Sequence, residues 1–258
     1  MNKIDCIYIL NLKKERERLK QCLMLLADEE IYIPIKIFPG IHWRSEQFKN
    51  EVYEKVVTYS KKWQENDGNP MKYGQIAGSY SHIRILQDAL RNNYQTILML
   101  EDDVYCNNIG DLQKEINKFH RLIRVHNDFD LYYIGREKIH PNEEQNYKDT
   151  EYIIPGYSWN AHAVIFSKQC IQKLLNTSIL HNLIPFDEFL PLCYGDSNCK
   201  NLKYFQSLFP KIINAVSSND YKKVYQCLYE YSRYKHLIKE YTTTDIDNSD
   251  YVNKQTIH

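Results

Sequence analysis

Short apolar runs alternate with amphipathic stretches along most of the chain, and this alternation constrains the fold more than any other feature. Asp5–Leu10, Thr96–Leu100, Asp130–Ile134 and Ala161–Phe166 are mostly β-branched or apolar and of strand length. Between them lie stretches with a helical period. Lys13–Leu26 carries Leu19, Leu23 and Leu26 on one stripe, and Gln75–Arg91 carries Ile83, Leu86 and Leu90. Asp111–Val125 and Lys168–Leu175 read the same way. Ile31–Phe38 is a further strand, and Pro34 inside it points to an edge position. Ser45–Gln64 is expected to be one helix with Phe48, Val52, Val56 and Tyr59 on one face. Ser218–Tyr241 is expected to be a long C-terminal helix, with Tyr221, Tyr225, Leu228, Tyr231 and Ile238 near a 3.6 spacing. Strands alternating with helices imply a mostly parallel α/β sheet.

Several classes drop out. Only 8 of the 258 residues are glycine, and neither G-x-x-x-x-G-K-[ST] nor G-x-G-x-x-G occurs, so any bound nucleotide is held without a glycine-rich phosphate cradle. The 33 basic side chains balance 33 acidic ones, which argues against a nucleic-acid partner. No run approaches the ~18–20 apolar residues of a membrane span. Asp5 interrupts the N-terminus too early for a secretory signal, and the 7 cysteines include no C-x-x-C pair. Free thiols in a reducing compartment are expected, as for a cytoplasmic protein, a virus-encoded one or an excised domain.

The apolar run Ile97–Leu100 ends in Glu101-Asp102-Asp103. Carboxylates at the C-terminal edge of an α/β strand stand where such sheets bind ligands. Glu101 and Asp103, two apart, share a side of an extended chain and suit a hard divalent cation such as Mg²⁺ or Mn²⁺. A plain Asp-rich turn is the alternative.

Together with this tripeptide, other segments resemble glycosyltransferase family 25, which includes bacterial lipopolysaccharide sugar transferases and animal procollagen galactosyltransferases. Ile7-Tyr8-Ile9-Leu10-Asn11-Leu12, followed by Arg18, is similar to the family's opening strand. Gly74-Gln75-Ile76-Ala77-Gly78-Ser79-Tyr80-Ser81-His82 is similar to its Gly-Glu-x-Gly-Cys-x-x-Ser-His, and Glu101-Asp102-Asp103 follows about twenty residues later, as in the family. Asp130-Leu131-Tyr132-Tyr133-Ile134-Gly135-Arg136, Tyr157-Ser158-Trp159 through Ser167, and Pro185-Phe186-Asp187-Glu188-Phe189-Leu190-Pro191 resemble segments of the collagen-type members. The chain departs from the family at Gln75, Ala77 and Gly78, where the family has Glu, Gly and Cys.

The resemblance implies a GT-A-like, Rossmann-type mixed sheet flanked by helices, with the long C-terminal helix added. It implies one domain over 1–258: a nucleotide-sugar half (1–135), an acceptor half (136–216), and a helix with a polar tail (217–258). It also implies a metal-dependent, inverting transferase that uses a UDP-sugar, galactose above all, and Mn²⁺ or Mg²⁺. The acceptor would be a hydroxylysine-containing protein or a glycan, and the chain could work as a homodimer. A non-catalytic UDP-sugar or glycan binding domain, prompted by Gln75, and a lipopolysaccharide-type transferase are the alternatives. Asp103, with Glu101 or Asp102 assisting, would hold the metal. Asp187 is the first candidate for the base and Glu188 the second, against the reading that Asp187 only caps a helix. Asn11 would lie near the base or ribose, or be a turn residue. Arg18 would reach the diphosphate, or pair with Glu15. Gln75, Ser81 and His82 would contact the donor, with His82 alternatively a core histidine. Arg136 would contact ligand, or form a surface ion pair. Trp159 would stack on a sugar, or belong to the core.

Overall fold

Thr96–Glu101 is the strand around which the molecule is built. In the computed structural model, which describes residues 3–56, 60–68, 70–148, 150–220 and 223–226, the chain runs as follows. It opens with β1 (Cys6–Asn11), α1 (Arg16–Asp28) and β2 (Ile35–Pro39), then α2 (Glu46–Phe48), α3 (Gln64–Asp67) and α4 (Tyr73–Arg91). β3 (Thr96–Glu101), β4 (Val104–Cys106), α5 (Asp111–Val125) and β5 (Leu131–Lys138) come next. β6 (Gln145–Asn146), β7 (Tyr152–Ile154), β8 (Ser158–Ser167), α6 (Lys168–Leu175), α7 (Phe186–Tyr194), α8 (Leu202–Leu208), β9 (Ala215–Ser218) and β10 (Val224–Gln226) complete it.

One eight-stranded sheet has the order β2-β1-β3-β8-β5-β9-β7-β6, and β10 pairs with β4 in a separate ribbon. β1 runs parallel to β2 and β3, and β5 parallel to β9, but β8 enters antiparallel between β3 and β5. The sheet is therefore mixed. β2 lies at its edge, where Pro34 costs no ladder hydrogen bond.

Alternation along β1 and β3 divides the core in two. Ile7, Ile9, Leu98 and Leu100 face Cys22 and Leu26 of α1 and Leu112, Ile116, Phe119 and Leu122 of α5. Tyr8, Ile97 and Met99 face α4, α6, α7 and α8 through Ile83, Leu86, Ile171, Phe189 and Phe205. Each such fully buried side chain contributes about 1.5–3 kcal/mol. The same alternation sends Glu101 toward α4 and Asp102 toward α1.

Two sequence expectations need correction. The helix expected over Ser45–Gln64 is broken. It starts as α2, with Ser45 Oγ accepting from the Phe48 N–H, passes into a π-helical stretch over Lys49–Val56, and resumes as a 3₁₀ turn at Lys61–Trp63. The Ser60 N–H donates to the Leu183 carbonyl at 2.8 Å, so a tertiary contact draws the backbone out of the helical path. The long helix does not start at Ser218. Ser218 ends β9 and Val224–Gln226 is a strand, because Tyr225 stacks on Tyr105 of β4 at 5.4 Å rather than facing a helical stripe. The rest of that expected helix, from 227 on, lies outside the described residues.

β10 reaches the sheet because of one glycine. A Cβ on Gly135 would meet His162 Nε2 at 2.3 Å and the Val224 carbonyl at 2.8 Å. Gly135→Ala should therefore cost about 1–3 kcal/mol by overpacking and lower Tm by roughly 3–10 °C. Gly78→Ala, whose Cβ meets nothing within 4 Å, should leave Tm unchanged or higher. Thermal melts of the two variants compare them directly.

Candidate active site

At the C-terminal end of β3, the three carboxylates of Glu101, Asp102 and Asp103 converge with few cations to balance them. Arg18, projecting from α1, places Nη2 at 2.5 Å from Asp102 Oδ1 and 2.8 Å from Asp103 Oδ2. Asn11, at the end of β1, donates from Nδ2 to Asp102 Oδ2 at 2.6 Å and to the Glu15 carbonyl at 3.0 Å. On the other side, His82 of α4 meets Glu101 Oε1 through Nε2 at 3.1 Å and the Gly78 carbonyl through Nδ1 at 2.9 Å. Both ring nitrogens face acceptors, so both bonds form together only in the imidazolium.

The electrostatics record the shortage of positive charge. Burial pushes Asp103 up to about 7 in spite of Arg18, with Glu101 and Asp102 adding to the rise. Burial likewise pushes Asp102 up to about 6, against the pull of Arg18 and Asn11. Burial also raises Glu101, but the hydrogen bond and charge of His82, with His162 and Arg18, outweigh it and hold Glu101 below its ordinary value. Asp103 Oδ1 is buried and, among the described residues, without a hydrogen-bond partner. An orphaned carboxylate oxygen among excess negative charge fits a hard divalent cation, which takes oxygen ligands.

An open cavity adjoins the cluster. Glu101, Asp102, Asp103 and Arg18 line one part, and His42 and Trp43 another. Trp43 is stacked on Tyr73 at 5.8 Å and covered by the Arg44 guanidinium at 4.3 Å, so its ring is a fixed wall. Ser81 lines the cavity and its hydroxyl accepts from the Ile41 N–H and donates its proton to the Ala77 carbonyl. It ties the loop carrying Trp43 to α4.

Asp187, Glu188 and Trp159 form a second group that does not line this cavity. It is joined to the first through His82, whose ring stacks on Phe186 at 4.7 Å with a 6° interplanar angle. The cap of α7 is Pro185, and Asp187 lies within the first turn, so the capping reading of Asp187 is set aside. Its carboxylate lies 3.5 Å from the Asn160 N–H and also faces its own backbone N–H, and burial followed by the charge of Glu101 raises its pKa. Glu188 is engaged: Tyr157 Oη lies 2.8 and 2.7 Å from its two oxygens, and Trp159 Nε1 donates to that Oη at 2.8 Å. The Trp159 ring is 39% exposed and is not core.

Other expected site residues have structural work instead. Gln75 Oε1 accepts from the Lys72 N–H at 2.9 Å and closes the start of α4; its side chain is absent from the cavity wall, and a Glu could make the same bond. Arg136 forms a buried ion pair rather than a surface one. It is 4% exposed and donates to Glu144 Oε1 at 2.6 Å and Ser158 Oγ at 2.7 Å. Arg18 pairs with Asp102 and Asp103 rather than Glu15, and Asn11 supports Asp102 from behind the cavity.

Sequence reasoning missed Trp43, Tyr157, Asn160 and Gln226. Asn160 has φ 65°, a left-handed backbone that Asn tolerates better than most residues, where β8 shifts register against β5. Gln226 Nε2 donates to Glu101 Oε2 at 2.6 Å and lies 3.4 Å from Asp103 Oδ2, in a segment whose tyrosine spacing suggested a helix.

Comparison with known proteins adds the following. The family described as glycosyltransferase family 25 (LPS biosynthesis protein) matches residues 4–190. A procollagen lysyl hydroxylase and glycosyltransferase of Acanthamoeba polyphaga mimivirus is 26% identical over 216 residues, covering 80% of this chain and 23% of its own. Human procollagen galactosyltransferase 2 is 25% identical over 216 residues, covering 82% of this chain and 34% of its own. The chain thus spans 23% of the one relative's length and 34% of the other's. A solved glycosyltransferase involved in glycosylation of the major capsid of PBCV-1 aligns over 90% of this chain and 98% of its own, with TM-score 0.48 and 14% identity.

Proposed function

Because the chain belongs to glycosyltransferase family 25, we propose that it moves a sugar, galactose first, from a UDP-sugar to a hydroxyl acceptor on a hydroxylysine-containing protein or a glycan. The observation that carries this reading is the orphaned, buried Asp103 Oδ1 amid three carboxylates at the mouth of an open cavity. Asp103, with Glu101 and Asp102, would hold Mn²⁺ or Mg²⁺. When bound, the cation supplies charge neutralisation for the departing diphosphate.

The chain's own residues account for the rest. Arg18 and Asn11 fix Asp102 and Asp103, so the carboxylates need no reorganisation when a donor arrives. The cavity receives the nucleotide, with Trp43 as its rigid wall. His82 holds Glu101 and separates the donor side from the acceptor side. The half-exposed face of Trp159, anchored through Tyr157 to Glu188, is a platform for the acceptor. Asp187 takes the acceptor proton as the hydroxyl oxygen attacks the anomeric carbon and the bond to the diphosphate breaks with its electron pair leaving on UDP. That single displacement inverts the anomeric centre. Gln75 does not weaken the enzymatic reading, because its side chain closes the start of a helix and is not part of the cavity lining.

A panel of UDP-sugars with Mn²⁺, read by UDP release with and without a hydroxylysine peptide, tests the proposal. The highest release is expected from UDP-galactose, increased by an acceptor. A Mn²⁺-replete protein that neither binds nor turns over any UDP-sugar would sink it.

A further inference from the structure

We infer that Gln226 belongs to the divalent-cation site, as an amide that donates to the carboxylates while no cation is bound and turns its carbonyl oxygen to the cation when one is. The inference rests on the metal-dependent reading above and adds to it a residue more than a hundred positions away from the acidic tripeptide.

Three independent contacts place β10 over the cluster. Gln226 is registered against Val104, the residue after Asp103. His162 Nε2 donates to the Val224 carbonyl at 3.1 Å, and the missing side chain of Gly135 leaves room for both. Tyr225 stacks on Tyr105 at 5.4 Å. The backbone of Gln226 is thereby fixed, and its amide reaches Glu101 and Asp103 together.

An amide has a donor end and an acceptor end on one torsion, which is broad and roughly two-fold. Facing two carboxylates alone, it presents Nε2, as observed. Facing a hard cation held by those carboxylates, Nε2 would turn its positive end toward the ion, whereas Oε1 is a normal oxygen ligand for Mg²⁺ or Mn²⁺. The same backbone placement serves both arrangements.

This role and the bland one differ in sign. If Gln226 only neutralised the carboxylates, it would compete with the cation, and removing it would tighten metal binding. If its oxygen serves the cation, removing it loosens binding.

The test is a Mn²⁺ titration in the presence of UDP, read from the electron paramagnetic resonance signal of free Mn²⁺, with thermal melts to verify folding. Gln226→Ala and the near-isosteric Gln226→Met should each weaken Mn²⁺ binding by about tenfold, the scale for residues that support a metal site. Gln226→Glu should restore it. Ala and Met variants that bind Mn²⁺ as tightly as wild type, or more tightly, overturn the inference and leave the metal reading standing. Wild-type protein that takes up no Mn²⁺ overturns the metal reading and this inference with it.

Discussion

Asp103→Asn should abolish transfer and at the same time stabilise the metal-free protein. The loss follows from removing the carboxylate that carries the orphaned oxygen: UDP release should fall at least about a thousandfold, and Mn²⁺ uptake with it. The gain follows from linkage. Burial pushes Asp103 up to about 7, so the folded protein holds a proton there that the unfolded chain has released above its ordinary value near 3.8. A group with a raised folded pKa stabilises fully below the unfolded value, and that contribution disappears as pH climbs to the folded value. Wild-type Tm without metal should therefore drop as pH rises from 5 to 8. Asn imitates the protonated form at every pH, so the variant should melt higher than wild type at pH 8, with a smaller difference at pH 5 that closes only toward the ordinary carboxylate value. Adding Mn²⁺ at pH 8 should raise the wild-type Tm and leave the variant's unchanged. A variant that melts below wild type at pH 8 would mean that the pairing of Asp103 with Arg18 outweighs the charge excess, contrary to the argument.

Much of this site was legible in the sequence because its parts are short and local. A run of apolar residues ending in acids can be read as a strand that delivers carboxylates, and Glu101, Asp102 and Asp103 arrive there. Helical spacing placed Arg18 on α1 and His82 on α4, and both reach the acids. What the sequence left out depends on long-range closure. Gln226 contacts Glu101 across 125 positions, through a strand only three residues long whose tyrosines imitate a helical stripe. Gln75 and Arg136 lie in matching motifs, yet the side chains of both are consumed by structure, one as a helix cap and one in a buried ion pair. A motif shows that a residue type is needed at a position; it does not separate the residue that touches a ligand from the one that builds the wall behind it. The break at Ser60 is of the same kind, since the partner that draws Ser60 away, Leu183, lies far along the chain.

Asp187→Asn should remove turnover while leaving donor binding intact, and the two neighbouring carboxylates should separate clearly. Asp187 does not line the cavity that would take the nucleotide, so Kd for UDP and for Mn²⁺ should stay within about twofold of wild type. Its carboxylate accepts from backbone N–H groups, Asn160's at a long 3.5 Å and its own, which leaves lone pairs of its two oxygens for an incoming hydroxyl. Losing a general base costs about 10²–10⁴-fold, and the fall should be in kcat rather than in KM for the UDP-sugar. Glu188 is placed otherwise: both its oxygens are within hydrogen-bond reach of Tyr157 Oη, which in turn receives Trp159 Nε1. Glu188→Gln should therefore act by loosening the Trp159 platform, raising KM for the acceptor more than it lowers kcat. The pH profile gives a separate reading. Burial and the charge of Glu101 raise Asp187, so the acid limb of kcat/KM should lie above the ordinary carboxylate range and change in Asp187→Asn but not in Glu188→Gln. If Glu188→Gln erases the acid limb and Asp187→Asn leaves it in place, the base is Glu188, and Tyr157 is the group through which its proton passes.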